Sequence, residues 1–182
     1  MIRFIGKSLK VMCFGIVPFI LLSSGSKGDL INQNLEKGTC SFNIVGISNF
    51  HIDGAATFQS KTEKDKFGNT IETFSLSFIA QEGTQHQVIE FIIASESNGS
   101  DDVLIGVHKI KNVDRLINSF NGVYGFADLG GESELPFFIK SGDIIITESF
   151  SNNVDGKLEV QLVNANGDSL KVKGFFNALV KV

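Results

Sequence analysis

The sequence has no tryptophan, a single tyrosine and only two prolines among its 182 residues. Sugar-binding clefts need exposed aromatic faces, for which Trp and Tyr serve best because their polar edge tolerates water. The scarcity of both argues against a dedicated carbohydrate-binding module, and the absence of Trp also removes the G-x-W opening of typical lipocalins. Because prolines are few and the 19 glycines follow no period, collagen-like and low-complexity classes are excluded.

What is present is the composition of one ordinary globular domain. Hydrophobic residues make up 42% of the chain and charged residues 20%, whereas a disordered chain has fewer apolar residues and more charge. The length of 182 residues favours one domain over two.

The first 26 residues have the organisation of a signal peptide. Basic residues occur at the start, and no acidic residue precedes Asp29. An apolar run over residues 11–22 follows, and the small residues that come next suit cleavage near Gly25 or Ser26. The run has 12 residues, whereas about 20 are needed to cross a bilayer. We therefore expect cleavage, no stable membrane insertion afterwards, and a secreted or periplasmic protein.

The chain that remains after cleavage is acidic. Removal of residues 1–26 takes away three basic and no acidic residues, which leaves 156 residues with a net charge of −7. An acidic domain without a basic stripe is poorly suited to nucleic acid or to an anionic membrane surface, so we expect neither as a partner. Phenylalanine has no polar group, so we expect most of the remaining Phe side chains in the core.

Cysteine usage excludes an internal disulfide in the exported monomer. Cys13 lies within the predicted signal peptide, which leaves Cys40 alone. We expect Cys40 to be a half-buried thiol at the edge of the first strand, with an intermolecular bridge or a catalytic or lipidated cysteine as alternatives. Residues 36–39 are polar and do not form the apolar box that precedes a lipidated cysteine.

From Cys40 onward, apolar and polar side chains alternate with period two, which predicts half-buried β-strands. The pattern is clearest over Phe74, Leu76, Phe78 and Ala80. Further strands are predicted over residues 41–48, 52–59, 87–94, 103–108, 137–140, 143–150, 156–165 and 169–180. A turn at Ser141-Gly142 and a type I′ turn at Asn166-Gly167 are predicted to join strands in the last third of the chain. Gly46 and Gly54 are predicted to mark β-bulges or close approaches of neighbouring backbones.

One segment departs from this alternation. Val113, Leu116, Ile117 and Phe120 fall on one helical face, which predicts a short helix or helical turn over residues 110–120. The remaining pattern predicts an all-β fold, an antiparallel β-sandwich or flattened β-barrel of roughly 8–10 strands with at most one short helix. The predicted organisation is a signal peptide over 1–26, a polar tether over 27–39 and a single antiparallel β domain over 40–182.

Several segments carry a resemblance. Residues 142–149, 154–160 and 172–177 are similar to the closing-hairpin patterns G-x-I-x-I-T, G-x-F-x-F and V-x-G-x-F, and residues 40–46 and 54–58 are similar to the matching opening. Over about a third of its length, the chain resembles small exported bacterial β-domains, often lipoproteins and largely uncharacterised. The resemblance implies an all-β exported domain and carries over no catalytic residue. The chain departs from the lipoprotein members because no lipid-accepting Cys stands at the cleavage site.

The sequence has no motif of nucleophilic, zinc or phosphate chemistry: G-x-S-x-G, H-E-x-x-H and the P-loop are all absent. His51, His86 and His108 lie far apart and lack ligand spacing. His51 and Asp53 share one strand face and form the best metal or acid/base fragment, although a polar pair facing solvent is the simpler interpretation. We therefore predict no catalytic residue, no bound metal and no cofactor.

Calcium is the metal that the loops favour most, although weakly. The first places to look are Glu96, Asp101 and Asp102 in an acidic loop. Residues 164–168 are also rich in oxygen ligands but are better explained as the hairpin turn. Neither loop has the D-x-[DN]-x-[DN]-G spacing with a following bidentate Glu.

Three functions are compatible with these features. The first is an exported non-catalytic β-domain, a binding or structural module outside the cytoplasm whose core is packed with Phe. The second is a lipocalin-like carrier of a small apolar ligand, which requires an interior cavity of ~300 Å³ or more. The third is a hydrolytic enzyme in which His51, His86 or His108 meets carboxylates in a concave site. A protein or a small apolar molecule is the partner that these alternatives allow, and no residue indicates which.

Overall fold

The computed structural model describes residues 35–64, 68–82, 85–96, 104–110, 122–131 and 133–181. The regular elements in these ranges are β1 (Thr39–Gly46), β2 (Asn49–Lys64), β3 (Thr70–Glu82), β4 (Gln85–Glu96), β5 (Gly106–Ile110), β6 (Gly122–Leu129), β7 (Phe137–Ser149), β8 (Asn153–Val163) and β9 (Ser169–Val180). The predicted signal peptide lies outside the described residues, and so do the tether as far as residue 34 and the predicted helix beyond Ile110. No helix long and apolar enough to span a membrane occurs in the described ranges.

The strands form one sheet that closes into an antiparallel barrel of 8 strands. Neighbours follow the order β7-β6-β4-β3-β2-β1-β9-β8, and a ladder between β7 and β8 closes the ring. β5 pairs with β7 beside this ring, and a short parallel pairing joins Thr57 of β2 to Leu179 of β9. The prediction of an all-β antiparallel fold is confirmed, and of its two alternatives the barrel is the one observed.

β7 is one strand, where the sequence predicted two strands separated by a Ser141-Gly142 turn. The β7–β8 ladder continues through this point with a register shift between Ile139 and Ser141. Before the shift, β7 pairs with β6 through Phe137 and Phe138, and after it the strand pairs with β5. The residues that resemble a turn are therefore a bulge, which lets one long strand change its neighbour.

Phenylalanine side chains fill the middle of the barrel, as predicted. Phe42, Phe78 and Phe176 are fully buried. The ring centroid of Phe78 lies 4.9 Å from that of Phe42, in an edge-on arrangement, and 5.2 Å from that of Phe176. Such ring pairs add to the apolar burial that stabilises the fold.

The hairpin between β8 and β9 is built around Asn164, and not as the predicted type I′ turn. That turn needs a positive φ at both central residues, and in the described residues only glycines have one, here Gly167 at 89°. The buried Asn164 Oδ1 instead accepts hydrogen bonds from the backbone N–H of Asn166 at 3.0 Å and of Asp168 at 2.9 Å. Its amide group also donates to Asp168 Oδ2 at 2.9 Å. A side chain therefore replaces part of the backbone turn.

Gly54 permits a close approach of neighbouring backbones, as its sequence context predicted. A Cβ atom at this position would lie 2.5 Å from the carbonyl oxygen of Ile79 on β3. A side chain therefore does not fit between β2 and β3 here, and the two strands stay in contact because the residue is glycine.

Candidate functional site

The inward face of the barrel changes from apolar to polar at the end where β2 and β4 finish and β3 and β6 begin. One row of paired inward residues runs Ser60, Phe74, Ile93 and Val123. The next row outward runs Thr62, Glu72 and Ser95. Phe74, Ile93 and Val123 are buried, whereas Ser60 and Thr62 are exposed. This end of the barrel therefore has an apolar floor beneath a polar rim.

A cleft of about 730 Å³ opens over this floor, and we call it the mouth cleft. Its volume lies within the range of ~300–1,000 Å³ that is typical of small-molecule sites. Its lining consists of Ser60, Thr62, Glu72, Thr73, Phe74, Ile93, Ala94, Ser95, Leu104, Val107, His108, Lys109, Gly122 and Val123. The lining thus combines residues of charged and hydroxyl type with an apolar base.

β5 contributes one wall of the mouth cleft. Its ladder with β7 places His108 opposite Ile144 and Lys109 opposite Asp143. His108 Nε2 donates a hydrogen bond to the carbonyl oxygen of Leu104 at 2.8 Å, which fixes the orientation of the imidazole ring. With Nε2 as the donor, Nδ1 of the neutral ring is an acceptor that a ligand can use.

His51 and Asp53 lie together on the outer face of β2, as the sequence predicted. His51 Nε2 is 3.0 Å from Asp53 Oδ1 and 3.2 Å from Ser41 Oγ. His51 Nδ1 is 2.9 Å from Asn43 Oδ1. Both side chains face solvent, with 47% of the His51 side chain and 72% of the Asp53 side chain exposed.

These four residues do not have the geometry of a catalytic triad. In a triad the serine hydroxyl and the carboxylate contact opposite nitrogens of the imidazole ring, so that the ring can take the hydroxyl proton while the acid orients it. Here Ser41 and Asp53 contact the same nitrogen, and the opposite nitrogen faces the amide oxygen of Asn43. The arrangement does not activate Ser41 as a nucleophile.

The three histidines lie on different strands, His51 on β2, His86 on β4 and His108 on β5. His86 is exposed near the start of β4, whereas His108 lines the mouth cleft. Of the residues that line the mouth cleft, His108 is the one that the sequence had indicated as a candidate functional residue. Glu72 could have been found, because it lies two residues before Phe74 and therefore shares its strand face.

The weak calcium candidates fall outside what the structure describes. Asp101 and Asp102 lie outside the described residues, and Glu96 ends β4 with its side chain also outside them. In residues 164–168, Asn164 Oδ1 and Asp168 Oδ2 accept hydrogen bonds within the hairpin itself. Across the described residues, no group of three or more His, Cys, Asp and Glu side chains is placed to hold a metal ion.

Cys40 is more deeply buried than predicted. The residue is 2% exposed and belongs to the barrel core. Burial raises the pKa of the Cys40 thiol to about 12; a backbone hydrogen bond with Gly54 acts in the opposite direction, and the charge of Asp53 adds to the increase. Because the thiolate is the reactive form, this thiol is protected from the chemistry of an accessible cysteine.

Comparison with known proteins gives no relative for this chain: no family model, no curated protein and no solved structure matches it.

Proposed function

We propose that the chain is a non-catalytic binding module that acts outside the cytoplasm and holds a small amphipathic molecule in the mouth cleft. The observation that carries this proposal is the polarity of the cleft, with Phe74, Ile93 and Val123 at its base and Thr62, Glu72 and Ser95 above them. An apolar base binds a hydrocarbon or aromatic part, while a few polar groups at the rim orient the ligand.

The filled interior favours this site over one deep in the barrel. A lipocalin-like carrier of an apolar ligand needs a cavity along the barrel axis, whereas the Phe78 ring there contacts the rings of Phe42 and Phe176. Among the described residues, those around the mouth enclose a space that a ligand can use. Since that space has polar groups on its rim, an amphipathic ligand fits it better than a wholly apolar one.

The arrangement of the histidines supports a non-catalytic role. His51 contacts Ser41 and Asp53 through one nitrogen, and His108 uses Nε2 to donate to a backbone carbonyl. Neither geometry prepares a nucleophile. Export is supported by the signal-peptide features of residues 1–26, and N-terminal sequencing of the chain from its host is expected to find the mature protein starting after Gly25 or Ser26.

The binding site is tested with N-phenyl-1-naphthylamine, an amphipathic probe whose fluorescence rises in apolar surroundings. The full chain is expected to bind the probe saturably. Val107→Trp places a bulky ring at the cleft wall and is expected to weaken binding by at least about tenfold, equivalent to ~1.4 kcal/mol. Val45→Trp is the matched control, because Val45 is 56% exposed on β1 and Val107 is 55% exposed on β5.

All variants carry the same N-terminal residues, so any fluorescence from probe bound to those residues is the same in every variant. Equal affinities of the two tryptophan variants, or fluorescence that does not saturate in the unmodified chain, would show that the mouth cleft is not the site.

A further inference from the structure

β5 and β6 lie on the same edge of β7, and the barrel wall is interrupted where one gives way to the other. β6 pairs with β7 through two residues, Phe126 and Ala127. β5 pairs with β7 further along that strand, over Gly106–Ile110. Because β8 pairs with the opposite edge of β7, β5 and β6 share the remaining edge. The first half of β6 has therefore separated from β7, which leaves a gap between β6 and β5.

Two strand edges border this gap. In the described ranges, β5 forms a ladder with β7 alone, and the first half of β6 forms one with β4 alone. An unpaired strand edge presents backbone N–H and C=O groups at alternate residues. Both strands line the mouth cleft, through Val107, His108 and Lys109 of β5 and Gly122 and Val123 of β6. The cleft therefore has strand backbone along two of its walls as well as an apolar base.

Strand backbone of this kind recognises another extended backbone. A peptide that adds a strand to a sheet edge gains its affinity from main-chain hydrogen bonds, and pockets for its alternate side chains give specificity. β5 has 5 residues, which span about 17 Å at ~3.3 Å per residue and match a peptide of similar length. Alternate side chains of an added strand point towards the barrel interior, where Phe74 and Ile93 form the buried base of the cleft. The side chains on that face are therefore expected to be apolar.

We infer that the mouth cleft binds a short extended peptide with apolar side chains at alternate positions, which adds a strand along the free edge of β5. The inference rests on the proposed function, because it names the chemical class of the ligand held in the same cleft. Such a peptide is amphipathic, since its backbone is polar and the side chains on one of its faces are apolar. Val107, 55% exposed on β5, provides a cross-strand contact for a side chain on the outer face of the added strand.

The features of β5 favour a short peptide over a second copy of the chain. Lys109 is exposed on β5, and lysine on an edge strand opposes the association of two sheets edge to edge. The strand is also short, with 5 residues, and short edge strands disfavour such association as well. A short peptide needs no second sheet beside β5, so it avoids both obstacles.

The test uses the peptide acetyl-KVTVTVK-amide, whose valines lie on one face of an extended strand. Hydrogen exchange of the full chain is followed by NMR with and without the peptide. Saturating peptide is expected to slow the exchange of alternate β5 amides by at least about tenfold, because those amides gain acceptors. The amides of β8 are the internal control, since β8 pairs with β7 on one side and β9 on the other, and their exchange is expected to be unchanged.

The matched control peptide is the same sequence N-methylated at its three valines. It keeps the side chains but lacks the backbone donors along one edge of the strand. It is therefore expected to bind at least about tenfold more weakly than the unmethylated peptide.

Slow exchange of every β5 amide in the chain without peptide would show that this edge is already paired, by another part of the chain or by a second copy, and would overturn the inference. Equal affinities of the two peptides would show that the cleft does not recognise a peptide backbone. N-phenyl-1-naphthylamine has no such backbone, so its binding tests the proposed function separately. Saturable binding of that probe without binding of the peptide would therefore refute this inference alone.

Discussion

Asn177 donates a hydrogen bond from Nδ2 to Asp155 Oδ1 at 2.5 Å, across the ladder that joins β9 to β8. Asn177 is 7% exposed although it is polar, and its Oδ1 has no hydrogen-bond partner within the described part of the chain. Asn153, 5% exposed, donates to Asp155 Oδ2 at 3.4 Å. The Asp155 carboxylate therefore accepts hydrogen bonds from the NH2 groups of two buried asparagines on the outer surface of the barrel.

Asp155→Ala is expected to lower the free energy of unfolding by about 1–3 kcal/mol, because it leaves the amides of Asn153 and Asn177 buried without their acceptor. Denaturation by urea, followed by circular dichroism, measures the change. Asp128→Ala is the matched control, since Asp128 is an exposed aspartate on β6 and its removal is expected to change stability by less than about 0.5 kcal/mol. Equal effects of the two substitutions would contradict the role given to Asp155.

Phe78→Ala is expected to cost about 3–5 kcal/mol, the range for loss of a buried ring together with the cavity that remains. The ring of Phe78 contacts those of Phe42, Phe91 and Phe176, with the Phe91 centroid at 6.2 Å. Phe138→Ala provides the comparison, because Phe138 is 56% exposed on β7 and its loss leaves no cavity. The same urea titration is used, and a Phe78 variant no less stable than the Phe138 variant would show that the ring cluster is not central to the core.

The sequence predicts the parts of this fold that depend on local alternation. Phe74, Leu76, Phe78 and Ala80 are buried as expected, because period-two alternation alone determines which face of β3 is apolar. The closure of β7 on β8 could not be predicted in this way, since it depends on pairing between strands. The continuity of β7 was also missed, because Ser141-Gly142 has the same composition in a bulge as in a turn.

The polar clusters also combine features that follow from local alternation with features that depend on pairing between strands. His51 and Asp53 share a face because they are two residues apart, and this was predicted. Ser41 and Asn43 join them only through the register of β1 against β2, which no local pattern reveals. The mouth cleft likewise depends on β5, whose place beside β7 follows from a ladder between residues distant in sequence.

Asn164→Ala is expected to destabilise the chain by about 1–3 kcal/mol, because it leaves the N–H groups of Asn166 and Asp168 without their acceptor. Asn166→Ala in the same hairpin is the control, since Asn166 is exposed and contributes its backbone N–H, which the substitution retains. Thermal unfolding followed by circular dichroism compares the two. If the hairpin were held by its backbone alone, the midpoints of the two variants would agree.

The Cys40 thiol is expected to be unreactive in the folded chain. With a pKa of about 12 in place of the ordinary 9.0, its thiolate fraction at pH 8 is about a thousandfold smaller than that of an unperturbed cysteine. Labelling of a Cys13→Ser variant, in which Cys40 is the remaining thiol, with a thiol-specific disulfide reagent measures this. Rapid labelling in native buffer, at a rate close to that in concentrated urea, would contradict the burial of Cys40.

The same shift makes stability depend on pH in the alkaline range. The folded state raises the Cys40 pKa from 9.0 to about 12, so the folded chain holds this proton more tightly than the unfolded chain does. The contribution of the neutral thiol is therefore complete below pH 9 and is lost as the pH rises from about 9 towards 12. Cys40→Ala lacks the titrating thiol. The unmodified chain is therefore expected to lose unfolding free energy relative to this variant as the pH rises through this interval. A difference that stays constant from pH 8 to pH 11 would show that the thiol titrates alike in both states.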